Sequence, residues 1–178
     1  YGGGSGMVMM PQPIFSCVAH VLKQAKSRRP SRKILLLSPR GKKLTQNGLK
    51  ELKRLKHLVL ICGHYEGVDE RVAHYLADEE ISIGDYVLTG GEIPAMALVD
   101  GVVRLLPGVL GNAESTSTET FEENLLEYPQ YTRPAVFKGK KVPAVLASGD
   151  HQKVRSWRKK ESLKLTQERR PELLKDLA

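Results

Sequence analysis

Short apolar runs alternate with helical patterns over the first two thirds of the chain. The apolar runs predict strands at residues 33–37, 57–62 and 81–88, and the repeats between and after them predict helices at 45–55, 69–77 and 93–106. Asp69 stands where an N-cap is expected, and Pro94 falls in the first turn of the third helix. Strands and helices that alternate in this way predict an α/β fold with a mainly parallel sheet.

Each predicted strand runs into a loop that contains glycine. The loops are Ser-Pro-Arg-Gly at 38–41, Gly-His-Tyr-Glu-Gly at 63–67 and Thr-Gly-Gly-Glu at 89–92. Ligands of open α/β sheets bind at the carboxyl edge of the strands, so the three loops predict a small-molecule pocket. In the second loop the glycines allow a flat ligand to approach the backbone and Tyr65 offers a stacking face, although a plain strand-to-helix turn has the same pattern.

The predicted helix at 93–106 is apolar on nearly all sides. It is therefore expected to be buried on most sides, either within its own domain or against a second subunit. Arg104 lies near its end and is the only lysine or arginine between residues 72 and 128. A plain i,i+4 pair with Asp100 accounts for it, but a cation at the end of a buried helix is also a candidate site residue.

The pattern changes after residue 106. Glycines and a Ser/Thr run between 107 and 127 predict a mobile linker, residues 136–146 are weakly strand-like, and Asp150 is placed to cap a helix to about residue 167. Pro171 is expected to begin a last short helix. Trp157 lies among the cations of the long helix, where it is expected to form the core of a small domain, and its basic neighbours can hold phosphates.

Charge is unevenly distributed along the chain. Residues 1–65 hold 13 Lys/Arg and one acid, residues 66–129 hold 14 acids and two Arg, and residues 130–178 hold 13 Lys/Arg and 5 acids, for a net charge of +8. A basic end beside an acidic middle predicts a polyanionic partner that meets one end of the protein. A solvated helix surface is the alternative explanation for such a run.

Composition excludes several classes of protein. With 178 residues, 40% hydrophobic and 27% charged, the chain is globular in type, and no apolar run is long enough to span a membrane. The two cysteines cannot form a disulfide scaffold, the histidines lack metal-ligand spacing, and no signal peptide is visible, so a cytoplasmic protein without a metal is expected. The chain opens at Tyr1 in a glycine-rich loop without an initiator methionine, and we expect it to be N-terminally truncated.

A series of segments matches one known family in order. They are Tyr-Gly-Gly-Gly-Ser-Gly-Met-Val-Met-Met-Pro at 1–11, Leu-Ser-Pro-Arg-Gly at 37–41, Gly-His-Tyr-Glu-Gly-Val-Asp-Glu-Arg at 63–71, Ser-Ile-Gly-Asp-Tyr-Val-Leu-Thr-Gly-Gly-Glu at 82–92, Pro-Gly-Val-Leu-Gly at 107–111, Tyr-Pro-Gln-Tyr-Thr-Arg-Pro at 128–134 and Leu-Ala-Ser-Gly-Asp-His at 146–151. The chain resembles the bacterial tRNA (guanine-N1)-methyltransferases of the TrmD type, in the SPOUT class, over essentially its whole length.

The resemblance implies a fold and an organisation. It implies a mainly parallel SPOUT sheet with a deep trefoil knot in a cofactor-binding domain at 1–110, a flexible linker at 111–128, and a small, mostly helical tRNA-binding domain at 129–178. It also implies a homodimer and S-adenosylmethionine as the cofactor. The matching cofactor residues are Leu37, Ser38, Pro39, Gly41, Gly63, Tyr65, Glu66, Gly67, Ile83, Gly84, Asp85, Tyr86, Val87, Leu88, Gly90 and Gly91.

The implied reaction is methyl transfer to N1 of guanine at tRNA position 37. That base must leave its stack, and N1 must lose its proton to a general base. The family uses an aspartate, where this chain has Glu119, and an arginine that matches Arg104. Arg133, Arg158 and Arg169 are the candidate tRNA contacts. The alternatives are a ribose-methylating relative, an RNA-binding module without activity, and a small-ligand protein without an RNA partner.

Overall fold

The structure, a computed structural model, describes residues 1–2, 4–25, 30–110, 119–121 and 123–175. The chain divides into two compact units, Tyr1–Gly111 and Asn112–Ala178. The first unit holds a three-stranded sheet with helices on both faces, and the second is built around one long helix.

The sheet of the first unit is parallel throughout, which confirms the predicted α/β class. Strand β1 (Arg32–Lys43) lies between β2 (His57–Cys62) and β3 (Glu79–Ser82), in the order β2-β1-β3. The predicted end of the first strand at residue 37 is wrong, because β1 continues through residues 38–41 to Lys43, with a register shift against β3 between Leu37 and Lys42. The predicted extension of the third strand to residue 88 is also wrong. The Ser82 hydroxyl accepts a hydrogen bond from the Gly84 N–H and donates one to the Gly84 carbonyl, and this turn ends the strand.

Four helices surround the sheet. They are α1 (Pro11–Gln24), α2 (Gln46–Leu52), α3 (Glu70–Tyr75) and α4 (Glu92–Val103). The expected cap of α3 is confirmed, since the Asp69 carboxylate accepts a hydrogen bond from the Arg71 N–H, and Thr45 caps α2 in the same way through the Gly48 N–H. Helix α1 was not predicted. Pro11 occupies its first turn, where the missing N–H costs nothing.

Alternation along β1 divides the core into two layers. Ile34 and Leu36 pack with Val18 of α1 and Val72 of α3 on one face of the sheet. The neighbouring residues of the strand face the opposite side. Leu35 and Leu37 pack there with a cluster made of Leu52, Ile81, Leu98 and Val102. The central strand is therefore buried on both faces, as expected for a parallel sheet covered by helices.

Helix α4 is less covered within the chain than its sequence suggests. Leu98 and Val102 are buried against the sheet, but Met96 keeps 71% of its surface exposed and Ile93 keeps 61%. Val99 and Val103 are also exposed, so the helix presents an apolar face that the described residues of the first unit do not cover. Among the described helices, none is long and apolar enough to cross a membrane.

The second unit combines a short hairpin with a long basic helix. Strands β4 (Val136–Phe137) and β5 (Lys140–Lys141) form the hairpin, a 3₁₀ turn spans Ala144–Ala147, and helices α5 (His151–Arg169) and α6 (Glu172–Lys175) follow. The weak strand pattern at 136–146 is therefore only partly correct. The capping prediction is confirmed, because the Asp150 carboxylate accepts hydrogen bonds from the N–H groups of Gln152 and Lys153.

The predicted linker falls partly outside the described residues, which leave out 111–118 and 122. Its described end is joined to α5 by hydrogen bonds. The Leu126 N–H donates to the Thr166 hydroxyl at 2.9 Å, and the Ser162 hydroxyl donates to the Leu126 carbonyl. Both hydroxyl residues are buried, so these bonds satisfy polar groups that would otherwise be costly to bury.

Replacement by alanine should have opposite effects on stability at two glycines, Gly41 where β1 approaches β3 and Gly48 in α2. A Cβ at Gly41 would lie 2.5 Å from the Glu80 carbonyl carbon and the Ile81 nitrogen, so Gly41→Ala should lower the free energy of unfolding by about 1–3 kcal/mol. At Gly48 in α2 an added Cβ makes only ordinary contacts, and Gly48→Ala should raise that free energy by about 0.5–1 kcal/mol. Urea unfolding measures both, and an unchanged Gly41→Ala midpoint would contradict the close approach.

Candidate functional site

A cavity of about 870 Å³ opens in the first unit where the three strands end. Its walls are residues 36–40 of β1, the loop after β2 and the loop after β3, together with residues 8–12 of the N-terminal segment. The site therefore lies at the carboxyl edge of the parallel sheet, as the three glycine-containing loops predict. Its volume is in the range of pockets that hold small organic ligands.

The N-terminal segment holds the loop after β2 in place. The Met9 N–H donates to the Gly67 carbonyl at 2.9 Å, and the Asp69 N–H donates to the Met9 carbonyl at 3.0 Å. The Glu66 N–H donates to the Met7 carbonyl in the same way. The segment thus pairs with the loop like a short strand, and the backbone of 66–69 is fixed on the side away from β2.

The loop after β3 is held against the same loop from the other side. The Gly91 N–H donates to the Gly63 carbonyl at 2.8 Å, and Gly90 forms an isolated bridge with His64. A Cβ at Gly91 would lie 2.7 Å from the Cys62 Cα, so only glycine allows the two backbones to come this close. The position of the third wall therefore depends on Gly91.

The structure brings most of the predicted cofactor residues to one cavity. The predicted residues that line it are Leu37, Ser38, Pro39, Gly63, Tyr65, Glu66, Gly67, Ile83, Gly84, Tyr86, Val87, Leu88, Gly90 and Gly91. Gly41 and Asp85 are not in the lining. Gly41 packs on the backbone of β3, and the Asp85 carboxylate lies 2.7 Å from the Lys43 ammonium group.

Sequence reasoning missed two groups of lining residues. The first is the N-terminal segment around Met9 and Met10, whose glycine-rich start suggests only a turn. The second is a charged group after the strands, made of Arg40, Asp69, Glu70 and Arg71. A signal for the second group was present, because Arg40 lies within the segment at 37–41 and the other three residues closely follow the loop at 63–67.

The charged lining residues form pairs. Arg71 donates through Nε and Nη2 to both oxygens of Asp69 at 2.8 Å, and its backbone N–H donates to the same carboxylate. These bonds, the side-chain ones first, lower the pKa of Asp69 to about 2. Arg40 donates to Glu70 at 2.8 Å, and this bond is the main cause that lowers the pKa of Glu70 and raises the pKa of Arg40.

Two further side chains define the chemistry that the cavity can support. Tyr65 lines it with a backbone φ of 59°, a left-handed conformation that is costly for a bulky residue and is often retained at binding sites. Burial, followed by the charge of Glu92, raises the pKa of the Cys62 thiol, which disfavours a thiolate nucleophile. No group of histidine, cysteine, aspartate and glutamate suited to a metal ion occurs within the described ranges.

The remaining predicted residues lie outside this cavity. Arg104 is the half-buried C-cap of α4, and its backbone N–H donates to the Asp100 carbonyl. Glu119 is half-buried in the second unit. Arg133, Arg158 and Arg169 are exposed, also in the second unit, and Arg158 lies over the Tyr128 ring.

The fold and the cavity define a class of protein, an α/β protein with a small-molecule site at the carboxyl edge of its sheet. Comparison with known proteins narrows that class. A family model described as tRNA (Guanine-1)-methyltransferase TrmD matches residues 1–176. The chain therefore belongs to this family.

Curated relatives agree with the family match. A protein of Geobacillus kaustophilus named tRNA (guanine-N(1)-)-methyltransferase is 60% identical over 174 residues, which cover 98% of this chain and 70% of the relative. Proteins of the same name from Alkaliphilus oremlandii and Crocosphaera subtropica are each 56% identical. The match to the Alkaliphilus protein covers 99% of this chain and 72% of that protein. The match to the Crocosphaera protein covers 97% of this chain and 69% of that protein.

The Asp69–Arg71 pair predicts a pH effect. The pKa of Asp69 is depressed in the folded state from the model-compound value of 3.8, so its stabilisation is present above about pH 3.8 and is lost as the pH falls toward 2. Arg71→Gln removes the side-chain bonds and keeps the backbone bond, so the pKa of Asp69 should rise part of the way and the loss of stability from pH 4 to pH 2 should become shallower. Carboxyl NMR titration and acid unfolding measure both effects, with Lys53→Gln as the control. An unchanged Asp69 titration in Arg71→Gln would contradict the pair.

Proposed function

We propose that this protein transfers a methyl group from S-adenosylmethionine to N1 of guanine at position 37 of tRNA. The observation that carries the proposal is the family match over residues 1–176, which includes the loops that wall the cavity of the first unit. The relatives named above are tRNA (guanine-N(1)-)-methyltransferases, and the match extends over nearly the whole of this chain.

The lining of the first cavity fits S-adenosylmethionine by its chemistry. Leu37, Pro39 and Leu88 offer apolar surface to an adenine ring, and glycines at 63–67 and 90–91 let a ligand approach the backbone. Glu66 can face the cationic groups of the molecule, and Arg40 can face its carboxylate. When bound, S-adenosylmethionine supplies an electrophilic methyl group on its sulfonium sulfur.

Glu119 is the proposed general base. Guanine N1 carries a proton at neutral pH and becomes a good nucleophile only when that proton leaves, so a carboxylate that accepts it is needed. Glu119 supplies this carboxylate in place of the family's aspartate, one methylene longer. Glu123 and Glu127 are the other described acids near it in sequence, and Glu122 lies outside the described residues.

Arg104 is proposed to stabilise the charge that develops on the base. As guanine loses its N1 proton, negative charge spreads to O6, and a guanidinium can donate two parallel hydrogen bonds to it or hold the carboxylate base. Arg104 is the only arginine or lysine between residues 72 and 128, so no other cation of that segment can replace it.

The second unit is proposed to bind the tRNA backbone. Residues 130–178 hold 13 Lys/Arg and 5 acids, and α5 carries many of these cations on exposed positions. Arg133, Arg158 and Arg169 are the proposed phosphate contacts. Such contacts release counterions from the RNA, which makes affinity fall steeply with salt.

A homodimer, a trefoil knot and a cytoplasmic location complete the proposal, all by family resemblance. One feature of this chain supports the dimer. The exposed apolar side chains of α4, which include Ile93, Met96 and Val99, form a surface that a second copy can cover. Such a surface on a monomer in water would carry a continuing hydrophobic cost.

The central experiment is methyl transfer to two tRNA transcripts that differ only at position 37. We expect label from methyl-labelled S-adenosylmethionine on the guanine transcript and none on the adenine transcript, because adenine N1 offers no proton and no O6 to the proposed groups. A protein that binds the cofactor but labels neither transcript would contradict the proposed activity. Equal labelling of both would exclude the N1 of guanine as the acceptor.

Substitution of the two proposed catalytic residues should separate catalysis from binding. Glu119→Gln should lower kcat by roughly 10²- to 10⁴-fold, because general base catalysis contributes about that much, and it should leave cofactor affinity unchanged. Arg104→Lys should retain more activity than Arg104→Ala but less than the unsubstituted protein. Glu123→Gln is the matched control and should stay within twofold. A loss of activity in Glu123→Gln but not in Glu119→Gln would identify Glu123 as the general base.

The phosphate contacts predict a change in salt dependence. Arg169→Gln removes one proposed contact, so the slope of log affinity against log salt should fall by about 1, with affinity lowered equally for different tRNAs. Lys23→Gln in α1 removes an exposed cation of the first unit and should leave the slope unchanged. Filter binding at several salt concentrations measures both, and equal slopes for Arg169→Gln and the unsubstituted protein would exclude this contact.

A further inference from the structure

The second unit contains a cavity of its own, of about 440 Å³, to which the proposed function assigns only the phosphate contacts of Arg133 and Arg158. Its walls combine aromatic side chains and arginines with aliphatic residues. The side chains that matter here are Tyr128, Tyr131, Arg133, Trp157 and Arg158. Trp157 was expected in the core of a small domain, but it is only half-buried and lines this opening instead.

The aromatic groups leave flat faces open to a ligand. The ring centroids of Tyr131 and Trp157 lie 6.3 Å apart with an angle of 56° between the rings, so the rings do not stack on each other. Tyr131 keeps 49% of its surface exposed. Two faces that meet at an angle can hold a planar group on one ring and cover its edge with the other.

The arginines place positive charge beside these faces. The Arg158 guanidinium carbon lies 4.6 Å from the centroid of the Tyr128 ring, and this cation–π contact holds the cation beside the aromatic faces. Arg133 is exposed in the same lining, and none of the described residues that line the cavity is acidic. A guanidinium carries its N–H donors in one plane, and this arrangement suits a phosphate.

We propose that this cavity binds one unstacked nucleotide of the tRNA, other than the guanine that receives the methyl group. The base stacks on Trp157 and Tyr131, and its phosphate contacts Arg133 and Arg158. Over the part of the lining that the structure describes, an aromatic platform is combined with cations and contains no acid, an arrangement by which proteins bind single-stranded nucleic acid. The inference rests on tRNA being the substrate, and it assigns a separate contact for an unpaired segment of that RNA.

Trp157 makes the test direct, because it is the only tryptophan in the chain. A base stacked on the indole should quench its fluorescence. We expect saturable quenching when the full chain is titrated with an anticodon stem-loop RNA, and little quenching with a blunt duplex RNA of the same length. Equal quenching by both would overturn the proposal, and so would a Trp157 that acrylamide cannot reach before RNA is added, since protein would then cover the cavity.

Separate variants test the stacking on Tyr131 and Trp157 and the contribution of the Arg158 guanidinium. Loss of one stacked base weakens binding by roughly 5- to 150-fold, so Tyr131→Ala and Trp157→Leu should weaken stem-loop binding within that range. Trp157→Phe keeps an aromatic face and should retain most of the affinity, which separates stacking from misfolding. Arg158→Lys keeps the charge but should weaken binding more than Lys159→Ala, which removes a neighbouring exposed cation of α5 and should keep the quenching.

Methyl transfer measured on the same samples distinguishes the two proposals. Label on the guanine-37 transcript without any change in Trp157 fluorescence would overturn the nucleotide cavity and leave the proposed function standing. Quenching that Tyr131→Ala abolishes, without label on any transcript, would support the cavity and count against the proposed activity. Tyr131→Ala that binds the stem-loop as tightly as the unsubstituted protein would overturn the cavity by itself.

Discussion

Burial of β1 on both faces is the constraint on which the first unit depends. Ile34 and Leu36 point to one layer of helices, Leu35 and Leu37 point to the other, and each of these side chains is at most 5% exposed. A strand buried in this way must have neighbours on both edges and helices on both faces. Parallel neighbours place all three strand ends at one edge of the sheet, and the cavity is the space that the loops leave there.

Close backbone contacts then turn that edge into a defined site. The loop after β2 is fixed on one side by the segment around Met9 and on the other by Gly90 and Gly91. These contacts consist mostly of main-chain hydrogen bonds, so they fix the walls and leave the side chains of Tyr65, Tyr86 and Leu88 available to a ligand. A rigid backbone with open side chains lowers the ordering cost of binding a small molecule.

Local signals in the sequence account for the strands and the capped helices, but not for features that depend on tertiary contacts. The runs at 33–37 and 57–62 are strands, and Asp69 and Asp150 are caps, because these features depend on neighbours along the chain. The third strand ends at Ser82 because a side-chain turn competes with the ladder, although Val87 and Leu88 continue the apolar pattern. Those two side chains line the cavity, so their apolar character reflects the site and not a strand.

The candidate site was predictable only where its residues follow a strand. Glycines after apolar runs identify the segment at 37–41 and the loops at 63–67 and 83–91. The contribution of Met9 could not be found in this way, because it depends on a bridge to Val68, far along the chain. Helix α1 was also missed. Its prolines, Pro11 and Pro13, fit a helix only when they fall in its first turn. Trp157 was expected in the core of the small domain, but it is half-buried and lines the cavity, since its burial depends on how the hairpin and α5 meet.

The position of β1 also has a consequence for how the chain folds. Leu37 pairs with Cys62 on one side and with Ile81 on the other, so the central strand gains its second neighbour only when the last part of the sheet arrives. Contacts between residues so far apart in the chain must overcome loop-closure entropy before they stabilise anything, and folding rates fall as such contacts dominate. During synthesis, the edge of β1 that pairs with β3 therefore stays unpaired until residues 79–82 emerge, and an unpaired apolar strand edge is open to association with other nascent chains.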